Sequence, residues 1–387
     1  MFKAVAGHSE DIDAEVALDE ILSQCRTQLD GLTPSAGVLL CSIDLEHEIL
    51  LRGIRSEWPD LQLIGCTTDG EMSSVSGYRE DSAALLLFAS DVIEFVAATG
   101  RNVSRDPAAV SAEAIRTARE KAKLDPALCI TLPESLTTSG AVVVEALSQA
   151  LGPGVPVVGG TAGDSHRLQG TLQFHGEEIC SDSVPLLLLC GPLVHSVSME
   201  SGWRAVGATG IVTRSEGSLV REIDGRPALD FYRRFLGPMG KVSPECPLAV
   251  MDSAGNVEHL RASAGVVDEA TGSIRFYADI PEGRMVQLTL ADRGQILEGC
   301  AASVAKAREG YPVGKTPEAG LFFSCASRKL LLGTRTREEF DAVRSVVGDE
   351  MPLIGFYTYG EIGPGSHPGE VGSTFHNEAF ISVLLGT

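Results

Sequence analysis

Short unbroken apolar runs alternate along this chain with stretches whose apolar residues recur every three or four positions, and the alternation comes round three times. The 3.6-residue periodicity predicts helices over residues 11–29 and 44–57 around a strand at 37–41. It predicts helices over 107–123 and 139–151 around a strand at 128–132, and helices over 291–308 and 336–347 around a strand at 320–324. Each copy closes on a further apolar strand, at 82–89, 184–190 and 379–385. Residues 1–7 also read as a strand, and Thr336 with Glu339 has the form of a capping box. Apolar strands separated by amphipathic helices predict an α/β fold with mixed or parallel sheets covered by helices.

The second helix of each copy leads to one strand-turn motif. It runs from Leu63-Ile64-Gly65 to Gly70-Glu71, from Val157-Val158-Gly159 to Gly163-Asp164, and from Leu353-Ile354-Gly355 to Gly360-Glu361. Each has a glycine, a threonine (Thr68, Thr161, Thr358), a second glycine and an acid. A repeat this specific predicts one structural unit used three times. The first glycine ends a buried strand, and the second is expected at positive φ, where side chains are disfavoured.

Residues 194–290 have a different texture, with short alternating strands and turn signals at Asp224-Gly225, Ser253-Ala254-Gly255 and Thr271-Gly272. A helix over 227–236 starts with proline and stops at Gly237-Pro238. The segment is expected to be antiparallel and hairpin-rich and to open a second domain. The expected division is 1–220 and 221–387, two domains being the prior for 387 residues.

The formal charge of -21 argues against nucleic acid or an anionic membrane as partner. The longest apolar stretch, 184–197, is broken by Gly191 and Pro192 and is too short for a span of about 20 residues. Nine cysteines form no zinc or haem-attachment spacing. They read as reduced, buried thiols of a cytoplasmic protein.

Several ordered motifs resemble the FIST family, a bacterial sensory module with an N-terminal and a C-terminal FIST domain. They are Gly202-Trp203, Val212-Thr213, the turn from Asp224 to Leu229, Cys325-Ala326-Ser327-Arg328, the run from Gly355 to Pro364, and Phe375-His376-Asn377. The resemblance covers roughly residues 25–385. It implies a small-ligand input device for signal transduction, with amino acids as ligands for many members. It also implies, for a stand-alone chain, a haem-borne nitric oxide sensor acting on a partner histidine kinase.

The ends of buried strands are where ligands of open α/β sheets settle. Candidate ligand residues are Thr67, Thr68 and Asp69; Thr161, Asp164 and Ser165; and Tyr357, Thr358, Tyr359, Gly360 and Glu361. The plain alternative is that glycine and threonine merely close tight turns. Arg328 follows the strand at 321–324 and could hold a carboxylate or haem propionate, or could instead pair with Glu361. If haem is bound, His376 has the most apolar company for an axial ligand, the alternative being a hydrogen-bonded structural histidine.

Templates for catalysis fail. The run from Gly310 to Thr316 is one residue short of a phosphate loop and follows a predicted helix. No G-x-S-x-G elbow or H-E-x-x-H motif occurs. The acidic run Glu10, Asp11, Asp13, Glu15 lacks the glycine of a calcium loop and reads as charge at a helix start. The expected role is therefore sensing, through haem or through a metal-free site for an amino acid or other small carboxylate. The rival from another class is an enzyme acting through Cys66 or acids such as Asp69 and Glu361.

Overall fold

The computed structural model describes residues 1–365 and 372–387. The predicted copies are three α/β units of the same order. The first unit runs Phe2–Ser9, helix Ala14–Leu29, strand Ala36–Cys41, helix His47–Glu57, strand Gln62–Thr67, hairpin Glu71–Ser73 with Gly77–Arg79, and strand Ala83–Ser90. The second repeats this order from Glu94–Arg101 to Ser183–Cys190, its hairpin being Gln173–His175 with Glu178–Cys180. The third begins at Val194–Glu200, resumes with helix Arg293–Glu309 and ends at Phe380–Gly386, its hairpin being Glu361–Pro364 with Ser373–His376.

Each unit builds four strands of a six-stranded sheet, and the other two come from a neighbouring unit. The second unit's hairpin joins the first unit's sheet, with Phe174 opposite Gly65. The third unit's hairpin joins the second's, with Ile362 opposite Gly159. The first unit's hairpin joins the third's, with Met72 opposite Gly355. The exchange is cyclic, so the three sheets close into a ring. Their inner faces share one core containing Leu40, Ile64, Ile130, Val158, Phe323 and Ile354. Each outer face packs under its own helices.

The recurring first glycine has a steric cause. A Cβ at Gly65 would lie 2.2 Å from the Leu39 carbonyl oxygen, and one at Gly355 would lie 2.5 Å from that of Phe322. The second glycine departs from expectation. Of Gly70, Gly163 and Gly360 only Gly70 has positive φ, at 115°. At Gly360 a Cβ would sit 2.1 Å from the Phe375 ring, so close approach sets that position.

The hairpin-rich segment is an insertion in the third unit, between Glu200 and Arg293. Its strands, from Arg204–Glu216 to Met285–Leu290, form one antiparallel eight-stranded sheet around helix Ala228–Leu236. Two expectations are corrected. Val194–Glu200 is an edge strand of the third unit, paired with Phe380–Gly386, and not part of the insertion. The capping box at Thr336 does not form: Thr336 Oγ1 donates to the Gly333 carbonyl at 2.6 Å, and Glu339 turns inward to Arg328. A true capping box stands at Asp292 and Gln295. The expected boundary near Arg221 falls within strand Leu219–Ile223 of the inserted sheet.

Among the described residues no helix is long and apolar enough to cross a membrane. All nine cysteines are free, eight of them buried.

Gly65→Ala forces a methyl group onto the Leu39 carbonyl and should cost about 3 kcal/mol, read as a lower urea midpoint at unchanged m-value. Wild-type stability would show that this contact does not fix the strand spacing.

Candidate functional site

The three glycine-threonine turns meet. The first and third exchanged hairpins start just beyond their turns, at Glu71 and Glu361, and the second starts after an extension of its turn, at Gln173, so the crossing of hairpins brings the turns together. The Asp69 amide donates to the Tyr357 carbonyl at 3.0 Å, that of Gly163 to Thr67 at 2.8 Å, and that of Thr161 to Gly360 at 2.9 Å. Thr358 Oγ1 donates to the Thr161 carbonyl at 2.6 Å. Tyr359 OH donates to Asp164 Oδ1 at 2.5 Å.

Behind the turns lie three related polar positions. The amides of Ser42, Glu134 and Cys325, at the ends of matching strands, donate to the carbonyls of Ser82, Ser183 and Ala379, at the starts of the closing strands. In the first unit Ser82 Oγ and Thr68 Oγ1 both donate to the buried Glu71 carboxylate. In the second Ser183 Oγ donates to Gln173 Oε1 at 3.1 Å. In the third, alanine replaces the serine. Glu361 Oε2 accepts the Ala379 amide at 2.8 Å, and its Oε1 is buried with no hydrogen-bond partner among the described residues.

This comparison corrects the reading of Asp164. Gln173 holds the position of Glu71 and Glu361, and Asp164 opens an extension of the second turn. Asp164 accepts the amides of Leu168, Gln169 and Gly170. Burial pushes its carboxyl up, but the Tyr359 hydroxyl and these amides hold it below the ordinary carboxylate range.

A cleft of 430 Å³ opens beside the third position, between the ring and the inserted sheet. Its size suits a small organic molecule. Ser135 and Thr161 come from the second unit, Cys325, Ser327, Tyr359 and Asn377 from the third, and Arg275 and Tyr277 from the insertion. The sheet is held on this face by Arg261 Nη1, which donates to the Phe375 carbonyl at 3.3 Å, and by the Ala262 amide, which donates to Asn377 Oδ1 at 3.4 Å. Thr161 Oγ1 and Ser135 Oγ have no hydrogen-bond partner among the described residues. Glu378 lies behind this wall in left-handed backbone at φ 61°, costly for a residue that has a Cβ. Its carboxyl is fully buried, and burial pushes it up to about 8. A larger hollow of 660 Å³ lies outside the first unit against Glu10, Asp11, Asp19 and Glu20, but it is open and contains no unpartnered buried polar atom among the described residues.

Of the predicted residues, Thr161 and Tyr359 line the cleft, and Thr67, Thr68, Thr358, Gly360 and Glu361 stand behind it as parts of the turn junction. Asp69 is buried beside His166, whose Nδ1 lies 2.5 Å from its Oδ2. Ser165 takes φ 56° at the bend of the second turn.

Arg328 and Tyr357 belong elsewhere. Arg328 is wholly buried, with Nη2 2.7 Å from Glu339 Oε1 and a further bond to the Ile296 carbonyl at 2.9 Å. Its partner is Glu339, not Glu361, and Glu339 Oε2 accepts from Tyr357 OH at 2.6 Å and Ser324 Oγ at 2.7 Å. A guanidinium so engaged, 0% exposed and outside the cleft lining, is not offered to a ligand there.

His376 does not fit the axial role. Its Nε2 donates to the Pro364 carbonyl at 2.8 Å, and burial lowers it to about 4, keeping it neutral. The hollow beside it measures 180 Å³ and is lined by Glu200, Ser201, His259 and Asn377. That is smaller than the roughly 300–1,000 Å³ of ligand pockets. Cys66 is 0% exposed within the shared inner core and lines none of these hollows, so no ligand reaches it.

Sequence reasoning missed Arg275 and Tyr277. Arg275 sits at an exposed position of strand Ser273–Phe276 and forms no ion pair among the described residues. Alternation in that strand could have shown that it faces outward, but not toward what.

Comparison with known proteins places these features. The FIST N domain family model matches residues 35–226 and the FIST C domain model residues 228–364. An uncharacterized protein of Mycobacterium tuberculosis (strain ATCC 25618 / H37Rv) is 26% identical over 373 residues, covering 92% of this chain and 94% of its own. An uncharacterized protein of Methanocaldococcus jannaschii is 26% identical over 283 residues, covering 66% of this chain and 54% of its own. Among solved structures, cyanuric acid hydrolase from A. caulinodans is similar at 11% identity and a TM-score of 0.38, each chain covered fully. A chorismatase is similar at 11% identity and a TM-score of 0.36, with 99% of this chain and 98% of its own covered. Likeness at that distance leaves activity to be argued from the residues.

Two measurements test the polar ring. Burial raises Glu71 from 4.5 to about 7. A raised carboxyl contributes stability that is full below pH 4.5 and is lost as pH rises through 7. Glu71→Gln, which copies the arrangement at Gln173, should therefore match wild type near pH 4 and exceed it above pH 7 by up to about 3 kcal/mol. A difference independent of pH in urea titrations would contradict this assignment. Arg328→Met, which strands the Glu339 charge, should cost about 3–5 kcal/mol at neutral pH.

Proposed function

The chain belongs to the FIST family, and from that premise we propose that the 430 Å³ cleft is its sensory site, taking up a small carboxylate such as an amino acid. FIST domains are sensory domains of signal transduction. The observation that carries the ligand class is Arg275, an exposed arginine in the cleft lining with no ion pair among the described residues. A planar fork of donors binds a carboxylate through paired hydrogen bonds. The unpartnered hydroxyls of Thr161 and Ser135 on the opposite wall supply further polar contacts. In a cleft that also contains Phe276, Leu330 and Phe375, such groups orient a ligand more than they strengthen its hold.

This reading replaces Arg328 with Arg275 and needs no metal. The haem and nitric oxide version draws no support from His376, whose ring nitrogen is engaged and whose neighbouring hollow is small. An enzyme working through Cys66 draws none from a thiol sealed in the core. The ligand bridges the ring and the inserted sheet, so occupancy favours the arrangement in which both walls face the same molecule. That bias is what a protein partner, such as a histidine kinase, would read.

Thermal shift against a panel of amino acids and simple carboxylates should reveal a ligand that raises the melting temperature with concentration. Arg275→Met should weaken that ligand at least tenfold while leaving the unliganded melting temperature within about 1 °C, since exposed substitutions change stability little. Equal shifts in both proteins would remove Arg275 from the site.

A further inference from the structure

The third of the three related positions differs from the others in a way that concerns chemistry. Where the first has Ser42 and the second Glu134 at the strand end, the third has Cys325, a buried residue, 4% exposed, that is part of the cleft lining. None of the other eight cysteines does. Where the first and second have Ser82 and Ser183 to satisfy a buried side chain, the third has Ala379, which leaves Glu361 Oε1 without a partner among the described residues. The Cys325 thiol lies against that carboxyl. The main-chain amides of Ser327 and Glu378 favour the charged form of the thiol. Thr358 links this thiol to the facing wall: its backbone pairs with Cys325, and its hydroxyl holds the Thr161 carbonyl. Thr161 Oγ1, 2% exposed and unpartnered, lines the same cleft.

We infer that Cys325 captures the carbonyl carbon of an aldehyde-bearing or 2-oxo carboxylate as a reversible hemithioacetal or hemithioketal, with Glu361 carrying the proton. The inference rests on the cleft being the ligand site and on Arg275 holding the carboxylate. In the step a sulfur–carbon bond forms and the carbonyl π pair moves to oxygen. The thiol proton passes to Glu361 and then to that oxygen, so the adduct is neutral and nothing is oxidised or reduced. Thr161 Oγ1 donates to the oxygen as charge develops on it.

The resting charges fit a thiol that waits for its ligand. Burial, then the Glu361 and Glu378 carboxyls, raise Cys325 well above its ordinary range, while the Ser327 and Glu378 amides oppose this. Burial also raises Glu361 and Glu378. The groups facing this carboxyl pair are Cys325, Arg328 and Glu245, with Tyr277 and Cys246 beside Glu378. Capture is therefore fastest where one of the two carboxyls has ionised. Its rate climbs as pH rises above the ordinary carboxylate range and Glu361 ionises, although the neutral adduct's stability does not change.

The test uses the full chain with [2-13C]glyoxylate as probe and glycolate, which has the carboxylate but no carbonyl, as control. Carbon NMR should show a protein-bound carbon attached to sulfur, absent with Cys325→Ala. Glyoxylate should also protect Cys325 from iodoacetamide at least tenfold in peptide mapping of the wild-type protein, a readout that does not depend on the variant folding. Glu361→Gln should slow capture at least tenfold and flatten its rise with pH. Thermal shifts with both glyoxylate and glycolate but no sulfur-bound carbon would overturn this inference and leave the carboxylate site standing. A signal that survives Cys325→Ala would also overturn it. No shift with either acid, together with none from the wider carboxylate panel, would instead overturn the site itself.

Discussion

The structure depends on three hairpin crossings, each passing over a strand that approaches its parallel neighbour too closely for a side chain. At Gly65 and Gly355 the facing carbonyl oxygens leave no room for a Cβ, and Phe174 and Met72 of the incoming hairpins lie opposite those same glycines. Each sheet obtains its last two strands from another unit, so no unit presents a completed edge by itself. An unpaired edge is an invitation to association, and the cyclic exchange leaves only the short outer strand of a hairpin at each of these three edges. The position of the candidate site follows from the same constraint. Hairpins that follow their turns at Glu71 and Glu361, and after a short extension at Gln173, cross in a way that brings the turns together.

That convergence places polar side chains where water is excluded, and the three positions manage the cost differently. Two hydroxyls serve Glu71, a serine serves the neutral Gln173, and Glu361 is left half satisfied. Burying a carboxyl without partners is unfavourable, and the group responds by holding its proton. The first two arrangements are closed, with their side chains directed at one another. The third faces a cleft, has an unpartnered oxygen and sits beside a strained Glu378. A fold built from three copies thus contains its own comparison: two positions show what satisfies the framework, and the departures at the third mark where something beyond the framework is retained.

Much of the ring was legible because the apolar periodicity of each unit is strong and the turn motif is repeated. Strands and helices fall within a few residues of their predicted ranges, as at Pro107–Lys121 and Ser183–Cys190. What periodicity cannot carry is which strand lies beside which when partners are more than a hundred residues apart, as Met72 and Gly355 are. The hairpin exchange was therefore invisible, and with it the finding that Gln173, not Asp164, answers to Glu71. Arg328 was misplaced for a related reason. Its position after a strand end was read correctly, but its side chain is claimed by Glu339 from a helix that the motif seemed only to cap. Arg275 carried no motif at all, since an exposed arginine on an alternating strand gains meaning only when another body packs across from it.

The insertion gives the ring something the repeat alone lacks, which is a wall that is not bound by the threefold plan. It enters between Glu200 and Arg293 and meets the ring at the third position, with contacts at Phe375 and Asn377 beside the cleft. Those contacts are main-chain or long hydrogen bonds, easier to rearrange than the packed ring core beneath them. A ligand held by Arg275 on one wall and by groups of the ring on the other would add its binding energy only to the arrangement in which both walls face it. Only that difference between arrangements can carry a signal, however tightly the molecule is bound. The exposed placement of Arg275 on the inserted sheet, and not within the rigid ring, is what would make ligand occupancy and domain arrangement the same equilibrium.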